Sequence, residues 1–257
     1  MSGPKSRGAR RPLLTAFLKH PSGIYPFRDW DAPLKQVVFQ ALNAAWESLT
    51  REAEAAGGTL LDEQEPAITV RLEKALNDIQ NEPEHPSGFS SALFQTVVRG
   101  DVTSYDQSKL EKRPDLTFRL ISVAPGLDRS LFALFAECKL VGPRHPIRLY
   151  CMEGVHRFVC GDYAWAMPTG LMVGYTHPPY TIPDHLASYL LRNAESDILR
   201  TRALPRPVPT LHDIPPIYET RHDRPWVFPE DGRSPGEIAL LHVWLPLPEP
   251  RVHQASE

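Results

Sequence analysis

The run from Leu131 to Val141 is apolar at almost every position, yet it carries Glu137 and Lys139. An apolar run of this kind reads as a central strand covered on both faces. Residues two apart on a strand point to the same face, so Glu137 and Lys139 lie together while Cys138 points the other way. A carboxylate and an ammonium are costly to bury there unless they are paired or hold an ion. The chain therefore has to build a charged pocket into the middle of its own core.

A third charged residue meets that pocket. Leu116, Phe118 and Leu120 alternate with Thr117 and Arg119, the pattern of a half-buried strand over Leu116 to Val123. Arg113-Pro114-Asp115 opens it, and Ala124-Pro125-Gly126-Leu127-Asp128 closes it with a turn. The two strands are expected to form a hairpin, which sets Asp115 beside Glu137. Two adjacent carboxylates repel unless a proton or a cation sits between them. Mg²⁺ takes oxygen ligands, usually one or two carboxylates with water. Read singly, Pro-Asp or Glu-x-Lys would suit a surface hairpin with a solvated ion pair. Their order, short separation and apolar flanks favour a metal site.

Helical spacing predicts a first helix over Ala32 to Ala56, stopped by Gly57-Gly58, and a second over roughly Glu63 to Gln80. Asp62 is the expected cap of the second, and Pro66 fits its first turn. Glu65 falls within the apolar stripe of Ile68, Leu72, Leu76 and Ile79, whereas Glu73 sits roughly 100° away. A glutamate centred on a core-facing stripe needs a polar partner, although a first-turn acid is also favoured by the helix dipole. We select Glu65 over Glu73. Further along, a short strand is expected over Phe94 to Val98, a helix over Arg148 to Val159, a strand over Leu171 to Thr176 and a helix over Pro183 to Ala194. A late hairpin would pair Ile217–Arg221 with Glu237–Leu245. The proline-rich stretches Pro205–Pro216 and Pro246–Pro250 read as extended linkers or edge segments. Residues 1–12 form a basic, disordered tail in this reading, and 13–257 a single domain.

Composition narrows the function classes. Hydrophobic residues make up 42% and charged residues 23%, as in an ordinary globular protein. No apolar run is long enough to span a membrane, and a cytoplasmic setting is expected. Cys138, Cys151 and Cys160 are odd in number and lack C-x-x-C spacing, against a disulfide framework or a structural zinc site. No phosphate-binding glycine loop, serine elbow or H-E-x-x-H occurs. The net charge of −3 does not advertise nucleic-acid binding, but only local charge counts within a Debye length of roughly 8–10 Å. His222 and His242 are expected to face each other across the late strands as satisfied surface or core residues and not as ligands, with Trp226, Trp244 and Phe228 as packing residues.

Pro114-Asp115 and Glu137-Cys138-Lys139 together resemble the hallmark of the PD-(D/E)XK nuclease superfamily. The resemblance implies an α/β fold, with a mixed central sheet flanked by helices. Its restriction-endonuclease-like core would span about 60–195, with N- and C-terminal elaborations and a proline-rich C-terminal part over 205–257. It implies that Asp115, Glu137 and the Cys138 carbonyl hold Mg²⁺, with Mn²⁺ as a substitute. Lys139 would orient the attacking water or stabilise charge, and Glu65 would be the fourth catalytic residue. The activity implied is DNA endonuclease hydrolysis leaving 5′-phosphates, in restriction or defence against phage. An RNA nuclease and a non-catalytic nuclease-fold scaffold are the alternatives. A homodimer and a separate NTPase subunit are further partners of this class. In the helix after the second strand, Tyr150, Glu153, Gly154, Arg157, Phe158 and Tyr163 form a second pattern. The resemblance implies that this helix can supply a polar residue to the site; against that, Glu153 and Arg157, at i and i+4, read as an ordinary helix-surface pair, the reading preferred.

Overall fold

The computed structural model describes residues 25–82, 85–193, 198–209 and 214–248. The expected basic tail over residues 1–12 lies outside them. Two long helices come first. α1 spans Ala32–Ala55 and buries Val38, Leu42, Ala45, Trp46 and Leu49 along one side. Gly57, at φ 70°, ends it in a left-handed turn that lets the Gly58 N–H reach the Ala53 carbonyl at 2.9 Å. α2 spans Glu65–Gln80 and buries Ile68, Leu72, Leu76 and Ile79. It starts later than its pattern suggests. Asp62 belongs to a separate 3₁₀ turn, Leu60–Asp62, and Gln64 occupies the cap position. Glu65 therefore becomes the first residue of α2, where its side chain can leave the helix and reach the sheet.

Six strands follow: β1 (Leu116–Arg119), β2 (Ala133–Val141), β3 (Thr169–Thr176), β4 (Thr201–Pro207), β5 (Tyr218–Asp223) and β6 (Glu237–Pro246). They form one mixed sheet in the order β1-β2-β3-β6-β5-β4. β2, β3 and β6 are parallel to one another, and the remaining pairs are antiparallel. The expected hairpin between the first two strands is present, with Leu116 opposite Ala136. All nine residues of β2 are buried, as its composition requires. The late pair is also present, as β5 against β6. β6 lies at the middle of the sheet, between β3 and β5, so the sheet extends well past residue 195.

Helices cover both faces of the sheet. Residues 147–159 run as one helix, α3, which is π-helical over Tyr150–Val155. A fourth helix, α4, runs from the π-helical Ile182–Leu186 into Ala187–Arg192. Cross-strand partners share a face, so Glu137 and Lys139 lie with Met172, Gly174, His242 and Trp244. α3 covers that face through Tyr150, Gly154 and Phe158, spaced at four residues. The opposite face carries Tyr175, whose ring stacks on Trp46 of α1 at 5.5 Å.

One segment departs from the sequence expectation. Residues 94–98 do not form a strand; they make isolated bridges, Phe94 to Leu120 and Val98 to Thr117. Side chains of α2 take the backbone groups that a further strand would need. Gln80 donates to the Phe94 and Gln95 carbonyls at 2.7 and 2.9 Å, and the Asn77 amide brackets Val97 at 2.9 and 3.0 Å. β4 occupies part of the stretch read as a linker or edge segment, and the edge alternative is the one that holds. It is an edge strand with two register shifts, and Pro205 and Pro207 are tolerated because an edge strand leaves N–H positions unused.

Candidate active site

The site forms where β1 and β2 part. Beyond Ala136, β2 has no strand on its β1 side, so the N–H groups of Cys138 and Leu140 need other acceptors. Asp115 Oδ2 accepts from Cys138 N at 2.9 Å, and Glu65 Oε2 accepts from Leu140 N at 3.1 Å. Two carboxylates thus replace the missing strand. The same splay leaves the buried Cys138 carbonyl without a β1 partner, and it accepts from Lys139 Nζ at 3.0 Å.

Lys139 ties the group together. Its ammonium also lies 2.8 Å from Glu65 Oε1 and 2.9 Å from Glu137 Oε1. Two of its three N–H groups donate, to Glu65 Oε1 and to the Cys138 carbonyl, while Glu137 Oε1 is held as an ion-pair neighbour. Burial works against its charge, but Glu137 and Glu65 outweigh that, and its pKa ends well above the ordinary lysine value. Lys139 stays protonated at neutral pH, which suits a donor or a charge stabiliser and not a general base.

Glu137 is fully buried. Tyr163 donates a hydrogen bond to Oε2, while Oε1 has both Lys139 Nζ and Arg157 Nη1 at 2.9 Å. Neither cation points an N–H at Oε1 in hydrogen-bond alignment, so that oxygen is left without a directed donor. Burial, and then the charge of Asp115, push the Glu137 carboxyl up to about 7 despite Lys139, Arg157 and Tyr163. A divalent cation would relieve both causes. Among the described residues no three His, Cys, Asp or Glu side chains converge as a metal-ligand group. Mg²⁺ does not require three, since one or two carboxylates with water suffice. Asp115, Glu137 with its undirected Oε1, and the second lone pair of the Cys138 carbonyl fit such an ion.

All four selected side chains, Glu65, Asp115, Glu137 and Lys139, are thus brought into one cluster. Glu73 is not in it; it lies within electrostatic reach of Arg99 and is raised in pKa by burial. Three further residues belong to the site. Arg157 does not serve as the surface partner of Glu153 but turns inward to Glu137. Tyr163, on the loop after α3, supplies the Oε2 donor. Arg99 reaches Asp115 Oδ1 at 3.1 Å. The helical phase of Arg157 relative to Gly154 and Phe158 carries some signal for its inward position. Arg99 and Tyr163 lie in irregular segments whose sequence has no period to read.

The loop that carries Tyr163 is well anchored. Asp162 receives Lys109 and Lys112 at 2.6 and 2.7 Å, and Trp165 Nε1 donates to the Thr103 carbonyl at 2.9 Å. The buried Arg224 guanidinium donates to the Trp165 and Met167 carbonyls, each at 3.1 Å. These contacts fix the residues on both sides of Tyr163. No protein-family model matches the chain, and neither the curated proteins nor the solved structures give a match.

Proposed function

We propose that this chain is a divalent-metal-dependent nuclease of the PD-(D/E)XK type, hydrolysing phosphodiester bonds in DNA. The observation that carries the proposal is the splay of β1 from β2. It gathers Asp115, Glu137, Lys139 and Glu65 around one backbone carbonyl that β1 does not pair, with a buried carboxyl that needs a cation to ionise fully at neutral pH.

Asp115, Glu137 and the Cys138 carbonyl would hold Mg²⁺ or Mn²⁺. Bound there, the ion supplies positive charge that lowers the pKa of a water and offsets charge building on the phosphoryl oxygens. Lys139 keeps its proton and stabilises negative charge on the attacking or phosphoryl oxygen. Glu65 holds Lys139 and the Leu140 N–H in place. Tyr163 fixes the rotation of the Glu137 carboxylate.

The test compares cleavage of plasmid DNA, and of RNA under the same salt, with Mg²⁺, with Mn²⁺ and with EDTA. Wild-type protein should cut DNA only with metal, and Asp115→Ala and Lys139→Ala should not. Calorimetry with Mn²⁺ should show binding that Glu137→Gln abolishes. Equal cleavage by wild type and both variants, or Mn²⁺ binding independent of Glu137, would overturn the assignment. Metal-dependent cleavage of RNA alone would reassign the substrate.

A further inference from the structure

Two arginines approach the site from different elements, and each contacts a different carboxylate. Arg157, on α3, lies 2.9 Å from Glu137; its side chain is 38% exposed while that of Glu137 is 0% exposed. Arg99 lies 3.1 Å from Asp115, with 38% exposure against 12%. In each case a terminal guanidinium nitrogen meets the buried carboxylate while the side chain as a whole stays partly exposed. A guanidinium carries five N–H donors in a planar fork that suits phosphate oxygens.

Charge in the contact set points the same way. Glu65, Asp115 and Glu137 pair directly with Lys139, Arg99 and Arg157, three negative groups with three positive ones. Lys139 shares its one charge between Glu65 and Glu137 and Tyr163 is neutral, so without a metal Arg157 completes the balance of charge. A divalent ion would leave the set two charges positive, which the successive phosphates of a nucleic-acid backbone would balance. Both arginines are also held on fixed supports. Arg99 follows the segment bracketed by Asn77 and Gln80, and Arg157 sits beside Phe158, which packs on the sheet.

We infer that Arg99 and Arg157 grip the backbone phosphates on either side of the cleaved bond. This rests on the nuclease reading above. The experiment measures binding of a short fluorescein-labelled DNA duplex by anisotropy, with saturating Ca²⁺ in place of Mg²⁺. KCl is varied from about 50 to 200 mM, because each phosphate contact adds about 0.9 to the slope of log K against log salt. Arg99→Gln and Arg157→Gln should each flatten the slope by about 0.9 and weaken binding by about tenfold or more. Arg157→Lys, which keeps the charge and loses the fork, should hold the slope. A merely structural arginine would change affinity through folding, seen in the thermal midpoint, and leave the slope at the wild-type value. A wild-type slope in a folded Arg99→Gln or Arg157→Gln protein overturns the inference while wild-type cleavage keeps the nuclease reading intact. Either arm alone can deliver that result if the other variant does not fold. If wild-type protein neither binds the duplex nor cuts it with metal, both fall together.

Discussion

At the residue scale, the site depends on one strand carrying charges where it should carry none. The alternation that puts Glu137 and Lys139 on one face is a property of any strand, so that pair was legible in the sequence. Asp115 followed from the hairpin and Glu65 from helical phase, although its position as the first residue of α2 was not foreseen. Arg99 and Tyr163 were not legible, because their approach to the carboxylates is set by long-range contacts and by no local period. The raised pKa of Lys139 leads to a prediction. Lys139→Gln should lower the cleavage rate by roughly 10²–10³-fold, the usual cost of one charge-stabilising donor. Mn²⁺ binding measured by calorimetry should persist, since the ammonium repels the ion and does not ligate it. Loss of Mn²⁺ binding in that variant would instead make Lys139 an organiser of the carboxylates.

At the element scale, α3 must lie close to the sheet for Arg157 to reach Glu137. Gly170 of β3 makes room for it. A Cβ there would stand 2.5 Å from Phe158 Cε1 and 3.0 Å from Leu240 Cδ2. The ring cannot yield as a flexible side-chain end would, so α3 itself would have to shift. Gly170→Ala should therefore cost about 1–3 kcal/mol in urea unfolding and reduce cleavage, because Phe158 and Arg157 are neighbours. Adding Phe158→Leu should recover part of both; recovery of stability without activity would mean that the position of α3 is not what limits cleavage. The helix could be anticipated from its apolar positions, but its π-helical middle could not, since an extra residue in a turn leaves no mark in composition. For β4 the prolines left both a linker and an edge segment open. Its prolines argue against a strand everywhere except at a sheet edge, and edge position is a property of the whole sheet.

At the scale of the molecule, a buried polar chain crosses the core behind the site. The Leu199 carbonyl can only accept, so His222 Nδ1 donates to it at 2.7 Å. His222 Nε2 must then accept from Thr220, Thr220 from His242 Nε2, and His242 Nδ1 from the Tyr150 hydroxyl, each at 2.8 Å. Every member is satisfied only while both imidazoles are neutral. Burial holds His222 down at about 4; burial, with His222 adding to it, holds His242 down at about 3. Their folded pKa values lie below the unfolded ones, so this stability is full above pH 6.5 and is lost as pH falls toward 4 and then 3. Each proton contributes up to about 1.4 kcal/mol per pH unit. Glu137 acts in the opposite sense. Its carboxyl is raised to about 7, so the folded state gains stability as pH falls from 7 toward 4.5. Urea unfolding in EDTA should therefore show a moderate loss of stability from pH 7 to 4.5, and Glu137→Gln should make that loss steeper. An unchanged pH profile in Glu137→Gln would show that this carboxyl titrates normally in the fold.

β6 occupies the middle of the sheet although it comes last among the strands. Until residues 237–246 are available, β3 has an open edge, and the sheet exists as two halves, β1-β2-β3 and β4-β5, with nothing to join them. During synthesis at about 5–20 residues per second, several seconds separate the emergence of Thr176 from that of Pro246. For that interval His242, the partner of Tyr150 on α3, is absent, and the helix that carries Arg157 lacks one of its anchors. The order of the strands in the sheet thus acts as a timer. A half-made chain has the carboxylates of the site in its sequence but not the full support behind them, and the proposed cleavage would begin only as the last strand closes the sheet.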